Sequence, residues 1–378
     1  MLYVDRLMLS NFRSYKTMEL NAGANSVVLV GANGAGKTNL LEALSFLSPG
    51  RGLRRAKLSD VNQIGANAPW AVSGRVMTPD GERQLGSGLM PRHELSSETS
   101  ADRRIGRLDG EALSSPAAFG DILQVAWLTP QMDRLFIEGA SGRRRFLDRL
   151  VAAYYPNHTR EVNAYEKVMR ERGRLLADGN ADPLWLTSLE QRMAEHGVAV
   201  AAARLDALGK LSQAIQESQS AFPGAVLSIG GELEEDLGHR PAVEVEGAFC
   251  ERLLATRNYD AKSGRTSIGP HKADLLVRHA DKDMPADLCS TGEQKALLIG
   301  ITLASARLSA TQFGAPPLLL LDEVAAHLDE KRRAFLFEEL GDIGSQVWLT
   351  GTDRSLFEQM EKRARFFHFS DGKIEADS

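Results

Sequence analysis

The chain has 378 residues, of which 43% are apolar, a formal charge of −5 and only two cysteines, Cys250 and Cys289. That length and apolar content suit one large globular domain with an insertion or two domains, and two cysteines exclude a disulfide framework and a cysteine-based zinc site and fit a reducing cytosol. The acidic balance does not exclude nucleic acid, because an average hides local basic faces.

Taken in chain order, residues 1–15 lack the apolar block of a signal peptide, and Leu2–Phe12 alternates as a strand does. Ser26–Val30 is a short apolar run of the kind a buried sheet uses. It leads directly into Gly31, Ala32, Asn33, Gly34, Ala35, Gly36, Lys37 and Thr38, and then into the helical pattern Asn39–Leu47. Strand, glycine-rich loop and helix in this order form a phosphate-binding unit. The loop N–H groups cradle phosphates, Lys37 reaches the β and γ phosphates, and the Thr38 hydroxyl ligates magnesium.

Pro69–Met77 predicts a strand, residues 77–110 predict turns or an exposed hairpin, and Val125–Leu128, closed by Pro130, predicts a buried strand. From Ser141 the apolar residues recur at helical spacing, first from Leu147 to Leu176 and again from Leu186 to Ile215. The joining segment carries Asp178, Gly179, Asn180 and Pro183, so two long antiparallel helices are expected. Helices of about thirty residues reach roughly 45 Å, enough for a projecting arm, although a pair of core helices fits the same pattern.

After Pro223 the chain returns to mixed α/β. Strands are expected at Gly224–Ile229, Asp274–Arg278, Leu318–Leu321, Val347–Thr350 and Phe366–Phe369, with helices at Glu251–Thr256, Glu293–Ser309 and Lys331–Leu340. The apolar stretches Ala296–Leu308 and Pro316–Leu321 are broken by Arg307 and by prolines, so no membrane span is predicted.

Pro316–Glu323 is an apolar strand ending in two carboxylates. At a strand end facing a ligand crevice, Asp322 holds magnesium and Glu323 orients or deprotonates the water that attacks the γ phosphate. Ser290, Thr291, Gly292 and Glu293 open a helix, where free N–H groups and a hydroxyl receive an anion; Ser290 with Glu293 is equally a capping box.

The order of these motifs resembles the ATP-binding-cassette heads, and more specifically the RecF family of the SMC-like group. The resemblance rests on Asn11–Tyr15, on Gly31–Ala43, on Ser48-Pro49-Gly50-Arg51-Gly52-Leu53-Arg54, on Arg143-Arg144-Arg145-Phe146-Leu147-Asp148, and on Gly269–Leu275. It spans the chain from its start to about Asp329. It implies an α/β P-loop NTPase head, residues 1–140 and 266–378, interrupted by a helical arm at residues 141–265. It further implies a slow ATPase that uses ATP and Mg2+ and forms an ATP-dependent homodimer. In that dimer the Gly31–Asn39 region of one subunit and Ser290–Glu293 of the other sandwich each nucleotide. Gln131, after the strand Val125–Leu128, then senses the metal and the attacking water, and Asp329 lies at the dimer contact. Arg13 lies near the nucleotide, while Tyr15 either stacks on the base or is a buried strand residue.

Three features depart from transporter cassettes. Thr291 stands where a glycine follows the signature serine, Glu293 where a glutamine is usual, and Thr350-Gly351-Thr352-Asp353 contains no switch histidine. The first two are familiar in the SMC-like group. Arg51, Arg54, Arg55 and Lys57 form one basic cluster, and Arg143, Arg144, Arg145 and Arg149 another. Both are candidates for DNA backbone contact or for ordinary charged surface, and His271 and Lys272 in the G-P-H turn are assigned to an arm or DNA surface, although a lone histidine in such a turn is more often structural. The family's partners are gapped DNA, RecR, RecO and the recombinase. A transporter ATPase subunit, an SMC-type chromosome scaffold and a metabolic P-loop kinase are the alternatives. The helical insertion and absent switch histidine disfavour the first, the short arm the second, and the signature segment the third.

Overall fold

The computed structural model describes residues 2–91, 102–179, 182–370 and 373–376. Residues 92–101 of the expected hairpin segment, and Asn180 in the joining segment, lie outside the described residues. The chain divides into two compact units, one made of Met1–Asp133, Gln219–Phe222 and Thr302–Ser378, the other of Arg134–Ser218 and Pro223–Ile301.

The first unit opens with β1 (Tyr3–Phe12), β2 (Tyr15–Asn21), β3 (Ser26–Gly31) and α1 (Lys37–Ser45). It continues with β4 (Ala71–Thr78), β5 (Gly81–Leu89), β6 (Arg104–Leu108), β7 (Glu111–Ala112) and β8 (Val125–Leu128). The second unit contains α2 (Ala140–Ala152), α3 (His158–Asp178), α4 (Pro183–Glu217), β9 (Ala225–Gly230), α5 (Glu232–Leu237) and α6 (Ala242–Ser263). It also holds β10 (Asp274–His279) and β11 (Met284–Pro285) and the start of α7 (Thr291–Phe313). The first unit then closes with β12 (Leu318–Leu321), α8 (Glu330–Ile343), β13 (Val347–Gly351), β14 (Ala364–Ser370) and β15 (Lys373–Ala376).

Among the described residues, two six-stranded sheets build the first unit. The antiparallel one runs β2-β1-β4-β5-β6-β7, and the other runs β15-β14-β3-β13-β12-β8. In the second sheet all neighbours from β14 to β8 are parallel, so the carboxyl ends of β3, β13, β12 and β8 share one edge. Leu40, Leu41 and Leu44 of α1 bury into one cluster with Leu7, Leu9 and Val72 from the antiparallel sheet and Leu29, Leu318 and Trp348 from the parallel one. Each such side chain contributes about 1.5–3 kcal/mol of burial. The Gln346 amide adds a polar tie. Its nitrogen donates to the carbonyls of Val4 at 3.1 Å and Gly23 at 2.8 Å, and its oxygen accepts from Val4 N at 2.9 Å.

Several expectations need correction. Residues 77–89 do turn back as a hairpin, with Thr78 opposite Gly81 and residues 79–82 exposed, but β5 also pairs with β6, and Leu85, Ser87 and Leu89 are buried. Gly88 is a close-packing position, since a Cβ there would stand 3.0 Å from the Trp70 carbonyl oxygen. The helical run from Ser141 is broken between α2 and α3, around Pro156, whose ring cannot continue a helix.

In the second unit α3 and α4 are consecutive helices of 21 and 35 residues. Gly179, at φ 71°, ends α3, and Asp182 caps α4 with Pro183 in its first turn. These helices pack with α6 around Tyr165, Val168, Met193 and Phe249. Within that core the fully buried Arg172 donates to Glu190 at 2.9 Å and to Asp260 at 2.7 Å. By length and composition α7 is able to cross a membrane, yet 61% of its most apolar window is buried inside the protein, as in a core helix.

Candidate active site

At the shared strand edge β3 runs into the glycine-rich loop. Gly31 has φ 154°, and a Cβ there would meet the Phe369 carbonyl oxygen at 2.5 Å, so only glycine lets the loop leave the sheet. Gly36, at φ 108°, would place a Cβ 2.6 Å from the Tyr15 hydroxyl oxygen. Tyr15 is buried, and its hydroxyl donates to the Gly36 carbonyl at 3.0 Å. It therefore props the loop from beneath and does not offer its face to a base; burial also raises its pKa.

Lys37 is 4% exposed, and its Nζ donates to the carbonyls of Gly31 at 2.6 Å and Ala32 at 2.9 Å. The loop thus satisfies the amine that phosphate oxygens would otherwise engage. Burial lowers the Lys37 pKa, opposed by the charges of Glu323 and Asp322.

The second half of the site comes from β12 and β13, whose register sets Leu321 beside Leu349. Asp322 is 5% exposed, and its Oδ1 accepts from Thr38 Oγ1 at 2.9 Å and from Thr350 Oγ1 at 2.8 Å. Burial pushes its carboxyl pKa up, against the two hydroxyl hydrogen bonds. Thr38 and Asp322, 284 positions apart in sequence, present hard oxygens side by side. That donor set suits magnesium, which keeps several waters and takes one or two protein oxygens.

Glu323 follows with φ 54°, a left-handed conformation that costs a non-glycine residue of order 1–3 kcal/mol and recurs at functional sites. Its N–H donates to Thr350 Oγ1 at 2.9 Å. Thr350 was no candidate in the sequence, because only strand register reveals that it stands beside Asp322. Gln131 is exposed just beyond the end of β8, whose Leu128 is in register with Leu321.

Other candidates fall elsewhere. Arg13 makes a two-pronged contact with the buried Glu42, at 2.8 and 2.7 Å. Arg54 donates to Glu42 at 3.1 Å and to Asn39 Oδ1 at 2.7 Å, and Asn39 donates to Ser14 Oγ at 3.0 Å. Arg54 is thus held inward, whereas Arg51, Arg55 and Lys57 are exposed. Asp329 caps α8, accepting from Arg332 N at 2.8 Å.

In the second unit Ser290 and Glu293 form the capping box: Ser290 Oγ donates to Glu293 Oε2 at 2.8 Å, and Ser290 N donates to the same oxygen at 2.9 Å. Glu293 also pairs with Lys282, and that contact leads the causes that pull its carboxyl pKa down to about 2. Thr291 and Gly292 are exposed at the helix start. Like Arg54, two of the DNA candidates in this unit are held within the protein. Arg143 grips Asp274 at 2.8 and 2.7 Å, and Arg144 donates to the Ala273 carbonyl at 2.7 Å. Arg149 lies against the Phe146 ring, and burial lowers its pKa to about 9. Arg145 stays exposed.

His271 is structural. Its Nδ1 accepts from the Tyr165 hydroxyl at 2.7 Å and its Nε2 donates to the Thr266 carbonyl at 3.0 Å, while burial lowers its pKa. Beside it an open basic groove is lined by Arg170, Arg174, Arg265 and Lys272. Single-sequence charge runs did not reveal it, because its cations come from α3, the end of α6 and the G-P-H turn.

Comparison with known proteins places this geometry. Residues 3–375 match the family model described as the RecF/RecN/SMC N terminal domain. The DNA replication and repair protein RecF of Agrobacterium fabrum is 49% identical over 376 residues, covering 99% of this chain and 98% of its own length. That of Mesorhizobium japonicum is 46% identical over 374 residues, covering 98% and 97%. Among solved structures, the recombination mediator RecF with ATP, described as part of the RecFOR pathway, superposes with a TM-score of 0.83 at 22% identity over 100% of this chain and 98% of its own. A Pyrococcus furiosus Smc head gives 0.55 at 18%, covering 100% and 97%.

Proposed function

The chain belongs to the RecF family of SMC-like ATP-binding-cassette proteins, and from that premise we infer that it is a DNA replication and repair protein driven by ATP. The observation that carries the reading is the convergence of Thr38, Asp322, Thr350 and Glu323 beside the phosphate loop. In the mechanism we propose, Lys37 leaves the Gly31 and Ala32 carbonyls to meet the β and γ phosphates. Thr38 and Asp322 would hold magnesium. When bound, that ion neutralises phosphate charge as the γ phosphoryl group is transferred. Glu323 accepts a proton from the attacking water, a new P–O bond forms, and the bond to the ADP oxygen breaks. Turnover is slow, because the chemistry serves as a release step.

Ser290–Glu293 of a second copy is proposed to complete the pocket, with Gln131 beside the attacking water and Asp329 near the subunit contact. ATP then pins two copies together, and its departure removes interactions that exist only in the closed state. Residues 1–140 and 266–378 are read as the head and 141–265 as the arm. The closed pair is proposed to engage gapped DNA in the cytoplasm and to promote recombinase loading with RecR and RecO. Arg51, Arg55, Lys57, Arg145 and the basic groove are the surfaces proposed for DNA phosphates.

Sedimentation with and without ATP tests the clamp. Glu323→Gln should bind ATP, hydrolyse it scarcely, and accumulate as a species of doubled mass. A mass that never changes with ATP would end the clamp reading.

A further inference from the structure

We propose that Thr350 is a positioning residue that couples Asp322 to Glu323 through one hydroxyl. The inference rests on the ATPase reading and adds to it a residue that no motif marks.

Thr350 is 1% exposed and sits on β13, which runs between β3 and β12. Register sets Thr350 beside Leu29 on one side, and Leu349 beside Leu321 on the other. It therefore lies at the strand edge where the phosphate loop and the carboxylate pair both begin. Hydrogen-bond polarity at this group is forced. The Glu323 N–H can only donate, at 2.9 Å, so a lone pair of Thr350 Oγ1 receives it. The single hydroxyl proton then points to Asp322 Oδ1 at 2.8 Å. Asp322 Oδ1 also accepts from Thr38, so one relay runs from the first residue after Lys37 to the Glu323 backbone.

This relay gives the left-handed Glu323 a fixed anchor. With φ at 54°, the peptide before Glu323 has an alternative in ordinary backbone space, and the Thr350 bond opposes that relaxation. The anchor determines where the Glu323 carboxylate starts, and hence its distance to an attacking water. A displacement on the order of 1 Å at such a group is worth about 100-fold in rate. Valine has the shape of threonine without the hydroxyl, and serine keeps the hydroxyl without the methyl group, so the two separate hydrogen bonding from packing.

The test compares wild type with Thr350→Val, Thr350→Ser and Lys37→Ala. Read-outs are kcat and KM for ATP, melting temperature, and hydrogen exchange of the Glu323 amide without nucleotide. The expected result is a fall in kcat of about 30-fold for T350V with KM within about twofold, and recovery to within about threefold for T350S. The Glu323 amide should exchange at least about tenfold faster in T350V and near the wild-type rate in T350S. T350V turning over at the wild-type rate while K37A is inactive would overturn the proposal alone, as would an unchanged Glu323 amide. A wild-type rate no higher than that of K37A would overturn the ATPase reading and this proposal with it.

Discussion

The Tyr15 hydroxyl and the Gly36 carbonyl, 21 positions apart, meet at 3.0 Å beneath the phosphate loop, and a Cβ on Gly36 would collide with that hydroxyl. Loop shape is thus set by a strand outside the loop. Tyr15→Phe should lower stability by about 1 kcal/mol, the worth of one buried hydrogen bond, and weaken ATP binding only slightly. Gly36→Ala adds left-handed strain to a clash and should reduce ATP affinity by at least about tenfold. Thermal melting and titration with a fluorescent ATP analogue check the pair.

Complementation probes the shared pocket. Lys37→Ala and Ser290→Arg should each be inactive alone, because each spoils both pockets of a symmetric pair. Mixed, they should regain about a quarter of wild-type turnover, since half the pairs are mixed and each of those has one intact pocket. Steady-state ATPase measured against mixing ratio would show a maximum near equal proportions, whereas a site built within one chain would show none.

Asp322 links acidity to stability. Burial raises its pKa, so between its ordinary 3.8 and the folded value the native state binds more protons than the unfolded one. Stability contributed by this group therefore falls as pH rises through that window and stays reduced above it. Asp322→Asn should melt higher than wild type at neutral pH, while losing magnesium-dependent stabilisation by ATP. The difference between the two proteins should shrink as pH drops toward 4, which scanning calorimetry across pH reads directly.

The arginines divide by environment. Lys272→Glu and Arg174→Glu, in the open groove, should weaken DNA binding and reduce the salt slope by about 1 for each phosphate no longer neutralised. Arg143→Ala should instead destabilise the fold, because it strands Asp274. Binding isotherms at several salt concentrations, beside melting curves, separate the two outcomes.

Much of the α/β framework was legible because buried strands and amphipathic helices write their period into the sequence. Ser26–Val30, Leu318–Leu321 and Val347–Thr350 are apolar enough to declare a parallel sheet, and β3, β12 and β13 lie there. Strand β2 was missed since Lys16, Thr17 and Glu19 are polar, and the strand is held by pairing with β1 more than by its own composition. The two halves of the site were readable as motifs that share one magnesium, but the Thr350 link between Asp322 and Glu323 was not. Thr350 acquires its meaning from a register between strands, and Arg143 and Arg144 from Asp274 and Ala273, about 130 positions away. A charge run shows that cations exist; only the fold shows which ones already have partners.

The placement of β3 carries a further consequence for biogenesis. Its two neighbours, β13 and β14, come from residues 347–370, and the Gln346 amide joins that region back to Val4. A nascent chain on the ribosome therefore exposes its phosphate loop on an unpaired strand until nearly all of these residues have emerged. Competence to hold nucleotide therefore waits on residues 347–370, and a polypeptide terminated before them would lack both strands that flank the phosphate loop's own strand.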